Sequence, residues 1–301
     1  MSIRPIKRIV QAKPTIEGAG VKLSRAFGFG STEEFDPFLL LDDFRNDNPE
    51  DYLAGFPWHP HRGMETITYV LAGAVTHRDS LGNHGEMGAG DVQWMTAGSG
   101  ILHQEMPRGD PKGRMHGFQL WANLPAALKM TTPRYQDVPA RDIPEVTDDD
   151  GTRVRVVSGS LWGKTGPVQG VAADPRYLDV WVPAGRRKTL PVETTRHAFA
   201  YVFEGSGKFR DASRPLAPRT ETVGAITTPD TEETGNRSLV LFDRGDEVTV
   251  QAGDQGIRFL LVSGKPIEEP VAWYGPIVMN TEAQLRQAYS ELQDGTFIQK
   301  R

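Results

Sequence analysis

The chain has 301 residues, enough for two domains of ordinary size, each with its own core. Its formal charge is −5, so no overall basic field exists to hold nucleic acid or an anionic membrane; direct DNA binding by phosphate contacts is not expected. It has no cysteine, which excludes disulfides, thiolate metal sites and cysteine nucleophiles and leaves imidazole and oxygen as ligands.

The opening stretch "MSIRPIKRIVQAKPTIEG" has no apolar run after its basic residues, and nowhere does the chain approach the roughly 20 apolar residues of a membrane span. The expectation is a soluble protein of the cytoplasm, or of the nucleus in a eukaryote. Further along, "ETITYVLAGAVTH", "DVQWMTA" and "HGFQLWANL" are short runs rich in β-branched and aromatic residues, bounded by glycine and proline, and they predict strands. The pattern stops in "AALKMTTPRYQDVPARDIPEVTDDDG", which is proline-rich and ends in an acidic run. A domain junction is expected within residues 133–151, dividing the chain into 1–138 and 139–301.

Strands resume with "RVRVVSGSLWG", "YLDVWVPAG", "HAFAYVFEGSGKF", "SLVLFDRGDEVTVQAG" and "IRFLLVSG". Many short strands joined by turns point to sandwiches or barrels rather than βαβ units. Between them, residues 210–237 are polar and lack apolar alternation, and they read as a long hairpin insertion. In "NTEAQLRQAYSELQDG", Leu285, Ala288, Tyr289 and Leu292 fall at helical spacing, Thr281 and Gln284 form a capping box, and Gly295 follows. This predicts a single helix over about 281–293.

Along a strand, side chains two apart share a face, so His59 and His61 in "WHPHRG" project together, as do His103 and Glu105 in "LHQEMP". Two such pairs on neighbouring strands make a four-ligand cage for a divalent ion. A cage without sulfur that keeps open positions favours Fe(II), with Mn, Ni, Cu or Zn as alternatives by affinity. His77, His84, His116 and His197 occur singly and read as structural or surface residues. Glu65 competes with Glu105 for the fourth place, since it follows the histidine pair closely. Against it, Arg62-Gly63 is a natural bend that resets the strand's alternation, whereas Glu105 needs no break to join His103.

The stretches "FDPFLLLDDF", "GFPWHPHRGMETITYVLAG", "HRDSLGNHGEMGAGDVQWMTAGSGILHQEMP", "HGFQLWANLP" and "KMTTPRYQ", with "EEPVAWYGPIVMNTEAQLRQA" near the end, resemble the pirin family over nearly the whole chain. The resemblance implies an all-β bicupin: two antiparallel β-barrel (jelly-roll) domains with a short C-terminal helix. The first would hold non-haem iron and the second no metal, in keeping with its lone His197. The family's iron ligands match His59, His61, His103 and Glu105, which leaves Glu65 as an outer group accepting a hydrogen bond from a ligand imidazole.

Two activities are implied. One is a quercetin 2,3-dioxygenase, opening a flavonol ring with O₂ and releasing carbon monoxide, with a small aromatic substrate and Glu105 as the proton acceptor. The other is a metal-binding regulator that acts on transcription factors or metabolic enzymes through protein contacts. The chemistry of the expected site favours the enzyme. Gln119 would meet a bound phenolate if the face it shares with Trp121 and Asn123 looks inward.

Overall fold

The protein is described from a computed structural model over residues 2–211 and 233–299. Most of the insertion expected at 210–237 lies outside the described residues; inside them, Ser206 and Gly207 pair with Gly235 and Thr234.

The first domain sets two sheets face to face. One has seven strands, in the order Arg134–Val138, Val92–Thr96, Met64–Ala72, His116–Asn123, Phe38–Asp43, Val21–Phe27 and Lys13–Glu17; the other has four, Phe56–His61, Ile101–Arg108, Ala74–Asp79 and His84–Met87. Val21, Leu23, Phe44, Val70, Val75 and Met87 pack between them. The second domain wraps a nine-stranded sheet, built around the long strands His197–Phe209 and Glu247–Gly264, over a core that includes Val154, Leu178, Val202 and Phe259. Register shifts near Glu204 and Gly205 bend the His197–Phe209 strand and let the sheet curl.

Both domains are the expected jelly-roll arrangements, with sheets that end in edge strands rather than closing on themselves. The seven-stranded sheet is buried on both faces, as the nearly uninterrupted burial of Met64–Ala72 shows. Its outer face, with Ile67, Tyr69, Trp94 and Phe118, joins Phe199, Tyr201 and Leu239 of the second domain in one continuous core. Across that junction the Tyr69 hydroxyl donates to Asp179 at 2.7 Å and accepts from Arg155 at 2.7 Å. No helix among the described residues is long and apolar enough to cross a membrane.

Strand Arg134–Val138 is the last of the first sheet in chain order, and the chain's outer segments cross between the two domains. Strand Ile6–Gln11 pairs with Ser238–Phe242 in the second sheet. The hairpin Ala272–Tyr274/Ile277–Met279 and the helix Glu282–Gln293 attach to the first domain through Arg62 and Lys129. That helix carries the expected capping box, Thr281 accepting from Gln284 N while the Gln284 side chain accepts from Thr281 N. A one-turn helix, Thr32–Phe35, was not foreseen; Phe35 stacks on Phe27 with ring centroids 3.9 Å apart.

Candidate metal centre

The four-stranded sheet builds the site. Strand Ile101–Arg108 runs antiparallel to Phe56–His61 with His103 directly across from His59 and Ile101 across from His61, so three imidazoles meet on the inner face. A register shift between His103 and Glu105 then sets Glu105 opposite Phe56. The alternation read from the sequence is visible in burial: Ile101, His103, Glu105 and Pro107 are buried and their neighbours less so. After His61, Gly63 takes a φ of +74°, where a Cβ would collide with the Val278 carbonyl oxygen, and the chain restarts as Met64–Ala72.

The His59, His61 and His103 rings lie 4.4–4.9 Å apart between centroids, and one ring nitrogen from each lies within 4.8 Å of the others. Among the described residues they are the one group of three or more His, Asp or Glu side chains close enough to share an ion. His59 Nδ1 sits 2.8 Å from the Pro57 carbonyl, which makes Nδ1 the protonated nitrogen and frees Nε2 as a ligand. His59 Nε2 and His61 Nε2 stand 3.1 Å apart. Two nitrogens on one ion at about 2.0–2.1 Å are separated by about 2.9–3.0 Å at a right angle and about 3.3–3.4 Å at the tetrahedral angle. The observed spacing fits a shared ion.

Unmet polar atoms support the same fit. Both ring nitrogens of His103 are buried without a hydrogen-bond partner, a costly condition that coordination through one of them would relieve in part. Burial pulls all three imidazoles down from their ordinary value, assisted at His61 by His59 and at His103 by His61 and His59, while the Pro57 carbonyl opposes it at His59. Near neutral pH they are therefore uncharged, the form that binds a cation.

Glu105 lies outside the three-histidine group but lines the same cavity. Burial pushes its carboxyl up to about 7 against the hydrogen bond from Thr68. The Thr68 hydroxyl reaches Glu105 Oε1 at 3.3 Å and the Gln119 amide oxygen at 2.8 Å. One hydroxyl hydrogen cannot serve both, and turning the Gln119 amide so that its nitrogen donates to Thr68 satisfies the whole chain. Gln119 thus faces inward together with Trp121, while Phe118 and Leu120 turn to the interdomain core. The cavity has a volume of about 470 Å³ and is walled by Leu23, Leu40, Phe44 and Trp121, with Gly275 and Pro276 contributed by the distant hairpin.

Glu65 is not part of this assembly. It stands on the opposite face of its strand from Thr68, and its carboxylate accepts from Thr96 Oγ1 at 2.7 Å beside the interdomain core. The expected hydrogen bond from a ligand imidazole is absent, because strand parity after Gly63 turns Glu65 away. His77, read as an isolated residue, is buried across from Glu105, with its Nε2 2.9 Å from Gln93 Nε2. The contacts of Thr68, Arg62 and Lys129 had no sequence signal. Their partners are carboxylates, side-chain amides and backbone carbonyls, most of them distant in the chain.

Two family models match this chain, one described as Pirin over residues 20–122 and one as the Pirin C-terminal cupin domain over residues 177–298. A pirin-like protein of Caulobacter vibrioides is 47% identical over 298 residues, spanning 99% of this chain and 100% of its own length. A Pseudomonas aeruginosa protein provisionally named a quercetin 2,3-dioxygenase is 39% identical over 296 residues, 97% of each chain. The crystal structure of a quercetin 2,3-dioxygenase from Acinetobacter baumannii superposes with a TM-score of 0.84 at 30% identity and covers 98% of both chains.

Proposed function

The chain belongs to the pirin family, and on that footing we propose that it is a metal-dependent dioxygenase opening the ring of a flavonol such as quercetin with O₂. The observation that carries this reading is the meeting of three uncharged, partner-poor imidazoles with a buried carboxyl at one apolar cavity. His59, His61, His103 and Glu105 are the residues that would hold the ion. Fe(II), or Mn, Ni, Cu or Zn in its place, would supply Lewis acidity toward a phenolic hydroxyl and open positions for a second ligand.

The chain's own groups have distinct tasks. Glu105, poised near neutrality, is suited to take the proton of the flavonol 3-hydroxyl. Thr68 holds that carboxyl in place, and Gln119 offers its amide to a substrate oxygen. Leu23, Leu40, Phe44 and Trp121 give a flat aromatic molecule apolar surface and exclude water. The likeness to the Acinetobacter baumannii quercetin 2,3-dioxygenase supports the same reaction.

The test is aerobic incubation of iron-loaded protein with quercetin. The near-ultraviolet absorbance of the flavonol should fall, with release of carbon monoxide, and His103→Ala should be inactive. Unchanged absorbance with a fully loaded protein would remove the dioxygenase assignment and leave metal binding standing.

A further inference from the structure

The bend that follows His61 is gripped from a part of the chain more than 200 residues away. Arg62 is 2% exposed, and its guanidinium spends every arm on fixed partners: Nε donates to Ser99 O at 2.8 Å, Nη1 to Glu291 Oε2 at 2.6 Å and Nη2 to Phe297 O at 2.8 Å. The Phe297 ring lies under the guanidinium, 4.1 Å from its carbon. The backbone joins in, with Val278 N donating to Arg62 O at 3.0 Å. Buried Lys129 then bridges Gly63 O at 2.9 Å and Val278 O at 3.0 Å.

The same segment reaches the imidazoles. Pro276 lines the cavity together with His61. Trp273 packs on Trp121, whose indole stands edge-to-face against His61 at 5.2 Å. Residues 271–298 therefore touch the ligand strand through its backbone, through the residue beside His61 and through the ring that packs on His61.

We propose that residues 271–298 are a positioning element of the metal centre, and that Arg62 is the positioning residue through which they hold His61 in register with His59 and His103. The inference rests on the metal-centre reading above. An arginine suits the task because its rigid planar fork donates in fixed, widely spread directions and keeps its charge when buried, whereas a lysine is a single donor point whose proton is lost readily on burial. Without the grip, the Arg62-Gly63 bend loses its outer partners, and the inner face can no longer present both histidines of the Phe56–His61 strand to one point.

The test compares wild-type protein with Arg62→Lys, Glu291→Gln and the solvent-facing control Glu282→Gln, each titrated with Co(II). Circular dichroism and thermal unfolding verify the fold. Arg62→Lys and Glu291→Gln should bind Co(II) about 10–100-fold more weakly, the usual effect of removing a support behind a ligand. Their visible ligand-field spectra should also change, while Glu282→Gln matches wild type. A merely structural role would lower the unfolding temperature and leave the Co(II) spectrum and affinity as they were. That result overturns the inference. Should Arg62→Lys fail to fold, Glu291→Gln decides, since Glu291 is partly exposed and its replacement removes only the charge from one arm. If wild-type protein takes up no Co(II), the metal reading and this inference fall together; if wild type and both variants bind alike, the inference alone falls.

Discussion

Replacing Lys129 with methionine should abolish a gain in stability that the protein makes as pH rises above neutrality. Lys129 is 1% exposed, and its ammonium donates to three neutral oxygens, Gly63 O, Asn123 Oδ1 and Val278 O, at 2.7–3.0 Å. Burial, opposed only in part by Glu269, pulls its pKa from 10.5 down to about 7. Between those values the unfolded chain carries a proton that the folded chain does not, so unfolding takes up a proton and stability rises with pH. Below about pH 7 both states are protonated, and the penalty for burying the charge is present in full. The gap corresponds to on the order of 5 kcal/mol across the window. The assay is urea unfolding of wild type and Lys129→Met at intervals from pH 7 to pH 10. Wild type should gain several kcal/mol relative to the variant as pH rises. The variant's absolute stability is not the readout, because it also strands three acceptors. Parallel pH curves would refute the argument, and so would a lysine side-chain NMR titration of Lys129 near 10.5.

Metal uptake should release about half a proton at pH 7 and almost none at pH 8.5. Burial holds the Glu105 carboxyl near 7 and pulls the three imidazoles down from their ordinary value. Calorimetry in buffers of different ionisation enthalpy measures this, and a buffer-independent heat at pH 7 would count against Glu105 as a ligand. Glu65→Ala should leave metal affinity unchanged and cost about 1–3 kcal/mol in unfolding experiments, since Thr96 loses its acceptor far from the histidines. Tyr69→Phe should cost about 1 kcal/mol in the same experiment, because Asp179 and Arg155 each lose one hydrogen bond across the domain junction while Asp179 keeps Arg258 and Arg155 keeps the Gly90 and Ala140 carbonyls.

The histidine cluster was legible because its signal is local. Two residues two apart share a strand face whatever the rest of the fold does, and the pairs fell on neighbouring strands. The helix Glu282–Gln293 was legible for the same reason, through its cap and its period. Which face of His116–Asn123 looks inward was not, because the seven-stranded sheet is covered on both sides and apolar residues occupy both parities. The placement of Glu65 could be argued only through the Arg62-Gly63 bend, and the bend showed that parity was interrupted without showing where the side chain went. Strand Ile6–Gln11 is half exposed and lacks alternation, so nothing in its residues announced that it pairs in the second sheet. The partners of Arg62 and Lys129 are mostly backbone carbonyls, which no residue type encodes.

The crossing of the chain's outer segments sets an order of events during synthesis. Strand Ile6–Gln11 leaves the ribosome more than 200 residues ahead of its partner Ser238–Phe242. The three clustered histidines are all made by residue 103, but Val278, Glu291 and Phe297, which grip Arg62 beside them, follow more than 170 residues later. A nascent first domain therefore carries its three imidazoles without their outer support until residues 271–298 follow, and a ribosome stalled before residue 270 would display a chain with the histidines present and the grip on them missing.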